Sequence, residues 1–188
     1  MKNNRSLLIS LLLLVVVAAL YRIIPNRPFG FAPHIAMALF GGAVIKDRKW
    51  AFALPIFSMF LSDCLYEVLY RNGLSDIRGF YEGQITNYIL FAGITLIGFA
   101  IKQVRVLPVL VASIVAPIAY FLVSNFAVWA AGGGFARPKT LEGLMMTYAD
   151  GIPFLRGSIA ATIVFSTLLF GGYYLLKKRE GSQITAQA

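Results

Sequence analysis

The sequence predicts an all-α, polytopic membrane protein, a bundle of six transmembrane helices with both termini in the cytoplasm. Of its 188 residues 59% are hydrophobic and only 13% charged, too little polar surface to face water on all sides. Several windows are apolar over the ~20 residues that a helix needs to cross a hydrocarbon core of roughly 30 Å. The alternation of a lipid-facing strand is absent from them, and in lipid only a helix or a closed barrel satisfies every backbone group.

The spans are expected at about 6–24, 31–45, 50–70, 84–101, 107–131 and 153–176, forming a single transmembrane domain with a short basic tail over 177–188. The start, MKNNRSLLISLLLLVVVAAL, has the basic-then-apolar order of a secretory signal. The apolar run continues to Ile24 without an A-x-A site, so it is read as a retained first span. The second span is short and carries Gly41 and Gly42, as a tilted or deeply packed helix would. Pro117 falls inside the fifth, where it should bend the helix and free a carbonyl.

Orientation follows from the 17 Lys and Arg residues, which cluster between apolar segments rather than along one polar face. One side collects Lys2, Arg5, Lys46, Arg48, Lys49, Lys102, Arg105, Lys177, Lys178 and Arg179. The other has Arg22, Arg27, Arg71, Arg78, Arg137, Lys139 and Arg156, diluted by Asp76, Glu82, Glu142 and Asp150. The positive-inside rule then puts both termini in the cytoplasm of a bacterial inner membrane. The net charge of +9 is thus a topology signal and not a nucleic-acid footprint. Two outer connections, 71–83 and 132–152, are longer and richer in Gly and aromatic residues than the inner turns. Within the second, TLEGLMMTY reads either as a short amphipathic helix on the outer surface or as a plain surface connector.

Polar side chains within the spans gather toward the outer side. Asp63 and Glu67 are four apart in the third span and so share one helix face. A charge near mid-bilayer costs on the order of 3 kcal/mol on insertion scales, so such groups usually face a bundle interior or a watery cavity. His34, Asn87 and Tyr88 open the second and fourth spans, Asn125 and Trp129 close the fifth after Tyr120, and Arg156 begins the sixth. The inner halves hold little beyond Ser and Thr, a pattern that suits an outward-facing pocket better than a pore. Asp63, Glu67, Asn125, Trp129, Arg156, His34, Asn87, Tyr88 and Tyr120 are therefore the candidate substrate-binding residues. The competing reading makes Asp63 a buried strut paired with Arg156 or His34, with Glu67 reaching to the interface. Cys64, the single cysteine, is a metal ligand only where a metallocofactor is bound, and otherwise a small hydrophobe.

No P-loop, H-E-x-x-H, G-x-S-x-G or dinucleotide fingerprint is present, so no enzymatic activity is expected and any energy source lies elsewhere. The segments PNRPFGFAPHIAMALFGGAVIKDRKWAFALPIFSMFLSD and SNFAVWAAGGGFARPKTLEGLMMTYADGIPFLRG resemble a family of small, functionally unassigned bacterial membrane proteins. These are in turn similar to the substrate-binding S components of energy-coupling factor transporters. The resemblance covers about residues 25 to 172 and implies a six-helix bundle that captures a vitamin or related micronutrient on its outer side. The loops after the first, third and fifth helices would close the cavity, while a transmembrane T subunit and two ATPase subunits energise release. Where many S components carry Ala-x-x-x-Ala on the first helix, this chain has Ser6 and Ser10 at that spacing. Cobalamin is one cargo of such proteins, and Cys64 is a candidate soft ligand to its cobalt. The principal alternative is a membrane scaffold of the rod-shape-determining type, in which the polar cluster is an interhelical strut. A membrane-embedded enzyme using Asp63, Glu67 and His34 ranks third.

Overall fold

The computed structural model describes the backbone of residues 2–185 and side-chain surroundings from 12 to 178. Six helices follow one another, and no strand occurs among the described residues: α1 Lys2–Arg22, α2 His34–Val44, α3 Arg48–Arg71, α4 Gln84–Phe99, α5 Val106–Ala131 and α6 Leu141–Thr185. Among the described residues, α3, α5 and α6 contain stretches long and apolar enough to cross a membrane. The Ser6 and Ser10 side chains, and most of the expected basic tail, lie outside the described side chains.

The expected second span is instead an 11-residue helix, α2, with a length of only about 16 Å at 1.5 Å per residue. His34 through Leu39 are all buried, and α2 packs against α3, α4, α5 and α6. A helix that is apolar all round belongs in an interior. Because protein surrounds it, the non-helical backbone leading into it is tolerated.

Close approach, more than side-chain bulk, sets the contact between α2 and α4. A methyl group added at Gly42 would lie 2.3 Å from the Thr95 carbonyl oxygen, and one at Gly98 would lie 2.6 Å from that of Leu39. Between helices in lipid, where no hydrophobic driving force operates, such small-residue contacts supply the dispersion energy of association. On one side of this crossing, Ile35, Leu39, Met59, Phe91, Ile94 and Phe170 form a core. On the other, Val15, Ala18, Met37 and Leu54 join α1 to α2 and α3.

The separate surface segment expected at TLEGLMMTY is corrected: Leu141 through Thr185 is one helix, which also takes in part of the expected tail. Its Gly151 and Pro153 read as loop signals in isolation. In the fold Gly151 lets Phe121 and Asn125 of α5 approach, the nearest atom being 2.6 Å from where a methyl would stand. The connection from α5 thus shortens to the residues between Ala131 and Leu141, and Arg137 pairs with Asp150 across it at 3.0 Å. The apolar stretch Leu141–Lys178, 38 residues, exceeds any bilayer core; at ~1.5 Å per residue it is about 57 Å long and must project beyond the hydrocarbon.

Alternating chain direction gives the bundle two unlike ends. The connections after α1, α3 and α5 lie at one, here the loop end, and those after α2 and α4 at the other, the turn end. At the loop end Gly30, with a φ of +70°, packs against Phe154 of α6, where a methyl would lie 2.1 Å from the Phe154 carbonyl oxygen. Ser158 donates to the Gly30 carbonyl at 3.2 Å. At the turn end Phe52 of α3 meets Phe99 of α4 edge to face at 5.5 Å.

Candidate functional site

α1 ends at the loop end in a charge, and α3 carries the opposite charge at the same level. Arg22 forms an ion pair with Asp63, whose side chain is 1% exposed, and donates to Ser62 Oγ at 2.6 Å. The other carboxylate oxygen, Oδ2, accepts from Gln84 Nε2 at 2.8 Å and from the Tyr88 hydroxyl at 2.7 Å. Both donors stand on the first turns of α4, four residues apart and hence on one face. Three helices thereby converge on a single carboxylate. The Arg22 guanidinium also lies 5.4 Å from the Tyr66 ring centre, a cation–π arrangement.

Side chains cap the end of α1. Its last carbonyl, that of Arg22, accepts from Tyr66 Oη at 2.7 Å and from Arg27 Nε at 2.8 Å, and Arg27 also reaches the Phe31 carbonyl at 3.2 Å. This supplies the partners that terminal helix carbonyls lack. Gly79, in the connection after α3, seats that loop against the Asp63 and Glu67 backbone.

A second relay runs beside the first. Tyr120 of α5 donates to Asn87 Oδ1 at 2.9 Å, and Asn87 Nδ2 donates to the Tyr81 hydroxyl at 2.7 Å. The Tyr120 ring packs on Phe91 at 5.3 Å, and Phe91 packs on His34 at 6.0 Å. His34, 2% exposed, has Nε2 3.2 Å from Ser58 Oγ, while its Nδ1 has no partner among the described residues. Leaving a buried polar group unpaired costs about 1–3 kcal/mol, and such exceptions in native folds call for an explanation.

Of the residues singled out from the sequence, Asp63, Tyr88, Asn87, Tyr120 and His34 come together in this layer. The others do not join it. Glu67 pairs with Arg71 one turn along α3 at 2.7 Å. Asn125 donates to the Phe121 carbonyl of its own helix, and Trp129 to the Pro138 carbonyl. Arg156 is exposed on α6, and Cys64 is half-buried and free. The strut expected between Asp63 and Arg156 or His34 is formed with Arg22 instead. No group of three or more metal-ligating side chains occurs among the described residues.

Arg22, Gln84, Tyr66 and Arg27 were missed as site residues. A signal for the first was available, since Arg22 falls inside the apolar run of 6–24 and a cation there needs a carboxylate. Gln84 likewise opens the fourth apolar run.

Membrane-length apolar helices around a buried polar layer define an integral-membrane type of helical bundle. More particularly, the chain belongs to a family of unknown function, DUF6580, whose pattern matches residues 2–184. No curated protein and no solved structure matches it significantly.

Proposed function

We propose that the chain crosses a bacterial inner membrane six times with both termini in the cytoplasm, the short α2 crossing together with the non-helical backbone that leads into it, and that it binds a small micronutrient at the loop end in the manner of an S component. His34 supports this reading, because its buried Nδ1 has no partner among the described residues and the ring stands next to the Ser58 hydroxyl and the Phe91 ring. A solute with a polar edge would satisfy that nitrogen, and the faces of Tyr120 and Phe91 would receive a flat or apolar part. Arg22 and Asp63, paired with each other and tied through the Asp63 carboxylate to α4, act here as positioning residues that fix the ends of α1, α3 and α4 around the solute. The chain supplies binding and no turnover. Release into the cell then falls to partner subunits, a transmembrane T subunit with two ATPases.

Thermal unfolding of the purified protein against a panel of water-soluble vitamins, cobalamin included, tests the proposal. A ligand at 100 times its Kd stabilises the folded state by about 2.7 kcal/mol. The expected result is one compound that raises Tm in the wild type and not in His34→Phe. A flat response across the panel and across cell extracts counts against it.

The closed satisfaction of Asp63 favours a second reading, a non-transport scaffold in which the layer is an interhelical strut. Under it Asp63→Asn lowers stability while no solute alters Tm in any variant.

A further inference from the structure

At the turn end, α4 and α5 leave an apolar groove of about 340 Å³ between them, lined by Ile97, Ala100, Ile101, Leu107, Val111 and Ala112 among others. Its outer wall is open, with Leu107 69% and Val111 51% exposed. The connection that joins the two helices lends Ala100 and Ile101 to the lining, and the same connection carries Lys102 and Arg105, both exposed. Arg48 from the neighbouring turn stands 5.7 Å over the Phe99 ring at the end of α4, flanked in sequence by Lys46 and Lys49. Asp47 is the one acid on these two turns, and it is engaged as the cap of α3, accepting from the Lys49 amide at 2.9 Å. The first turn of α5 has no side-chain cap, so its amides add to the positive field at that connection.

We infer that this groove binds an anionic phospholipid, with an acyl chain along the α4–α5 seam and the headgroup phosphate on Lys102 and Arg105. Charge and apolarity together select the occupant. A soluble anion would gain nothing from the groove, and a zwitterionic lipid would bring its own cation against a cluster of Lys and Arg. Basic residues at a membrane surface recruit anionic headgroups in this way. The inference needs only that the helices sit in a bilayer and is independent of the solute proposed for the loop end.

Native mass spectrometry of the full-length protein in neutral detergent, with equimolar phosphatidylglycerol and phosphatidylcholine of matched chains, provides the test. The wild type is expected to retain phosphatidylglycerol over phosphatidylcholine by at least about fivefold, the effect of one basic contact at a membrane surface. The Lys102→Gln/Arg105→Gln protein should bring that ratio near unity. Val111→Trp, which fills the groove, should reduce both adducts, and glycerophosphoglycerol, the headgroup without chains, should displace neither. Equal retention by the wild type would overturn the inference. So would an unchanged preference in the charge variant, displacement by the chain-free headgroup, or a dimer that buries the groove. All three positions are exposed, and Arg105→Gln alone serves if the double variant folds poorly.

Discussion

Arg22 and Asp63 pair opposite charges within the bundle, the Asp63 side chain 1% and the Arg22 side chain 15% exposed, and the worth of the pair depends on how it is broken. Removing one partner of a buried ion pair typically costs about 3–5 kcal/mol, because the other charge is left uncompensated, whereas replacing both with apolar groups can be nearly neutral. Asp63→Leu and Arg22→Leu should therefore each lower the unfolding free energy by that order in detergent micelles, and the double variant should recover a large part of the loss. Additive losses would mean that the two side chains do not depend on each other. Tyr88→Phe, which removes one neutral donor from the same carboxylate, should cost only about 1–3 kcal/mol, since hydrogen bonds to charged groups lie in that range. Asp63 was legible from sequence because a carboxylate in an apolar run asks for a reason. Asn125 and Trp129 stand apart from the layer, bonded to the Phe121 and Pro138 carbonyls, because polar groups near a helix end satisfy themselves on nearby backbone as readily as they line a site, and their composition looks the same in both cases.

At the scale of helices, α2 is the element around which the others are arranged, and Gly42 and Gly98 set its distance from α4. Gly42→Ala should destabilise the fold by about 1–3 kcal/mol as an overpacking substitution. Gly93, on the same α4, faces open space, so Gly93→Ala should leave stability unchanged or raise it by up to about 1 kcal/mol through helix propensity. Equal effects at the two positions, read by thermal unfolding, would argue against the close crossing. The apolar runs made six helices legible, since nothing but burial in lipid or protein accommodates them. The ends were less so. Periodicity is silent on whether Gly151 and Pro153 break a chain or sit against a neighbour, and only the approach of Phe121 and Asn125 settles it for α6. The expected span 31–45 is longer than α2 because Phe31, Ala32 and Ile45 are apolar and half-buried without being helical.

For the whole molecule the asymmetry between its ends is the organising fact. The turn end is densely basic, while the loop end mixes acids, aromatics and glycines around the polar layer. Orientation is open to direct measurement in a Cys64→Ser background. With Ser75→Cys at the loop end and Gln103→Cys at the turn end, a membrane-impermeant thiol reagent added to intact cells should label the former and not the latter. The reverse pattern would invert the topology and put the polar layer at the cytoplasmic side. Charge counting in the sequence points to that orientation, but it could not foresee that Arg22, tallied among the flanking cations, is taken out of the tally by Asp63.

The central claim, that the polar layer at the loop end holds a small solute, is tested most directly by what the protein carries out of the cell. Mass spectrometry of small molecules retained by gently purified wild type should be compared with the same measurement on Asn87→Ala, which cuts the relay to Tyr120 and leaves the Arg22–Asp63 pair in place. A compound present in near-stoichiometric amount with the wild type and absent from the equally folded variant is the expected result. The same compound, or none, with both proteins would contradict it.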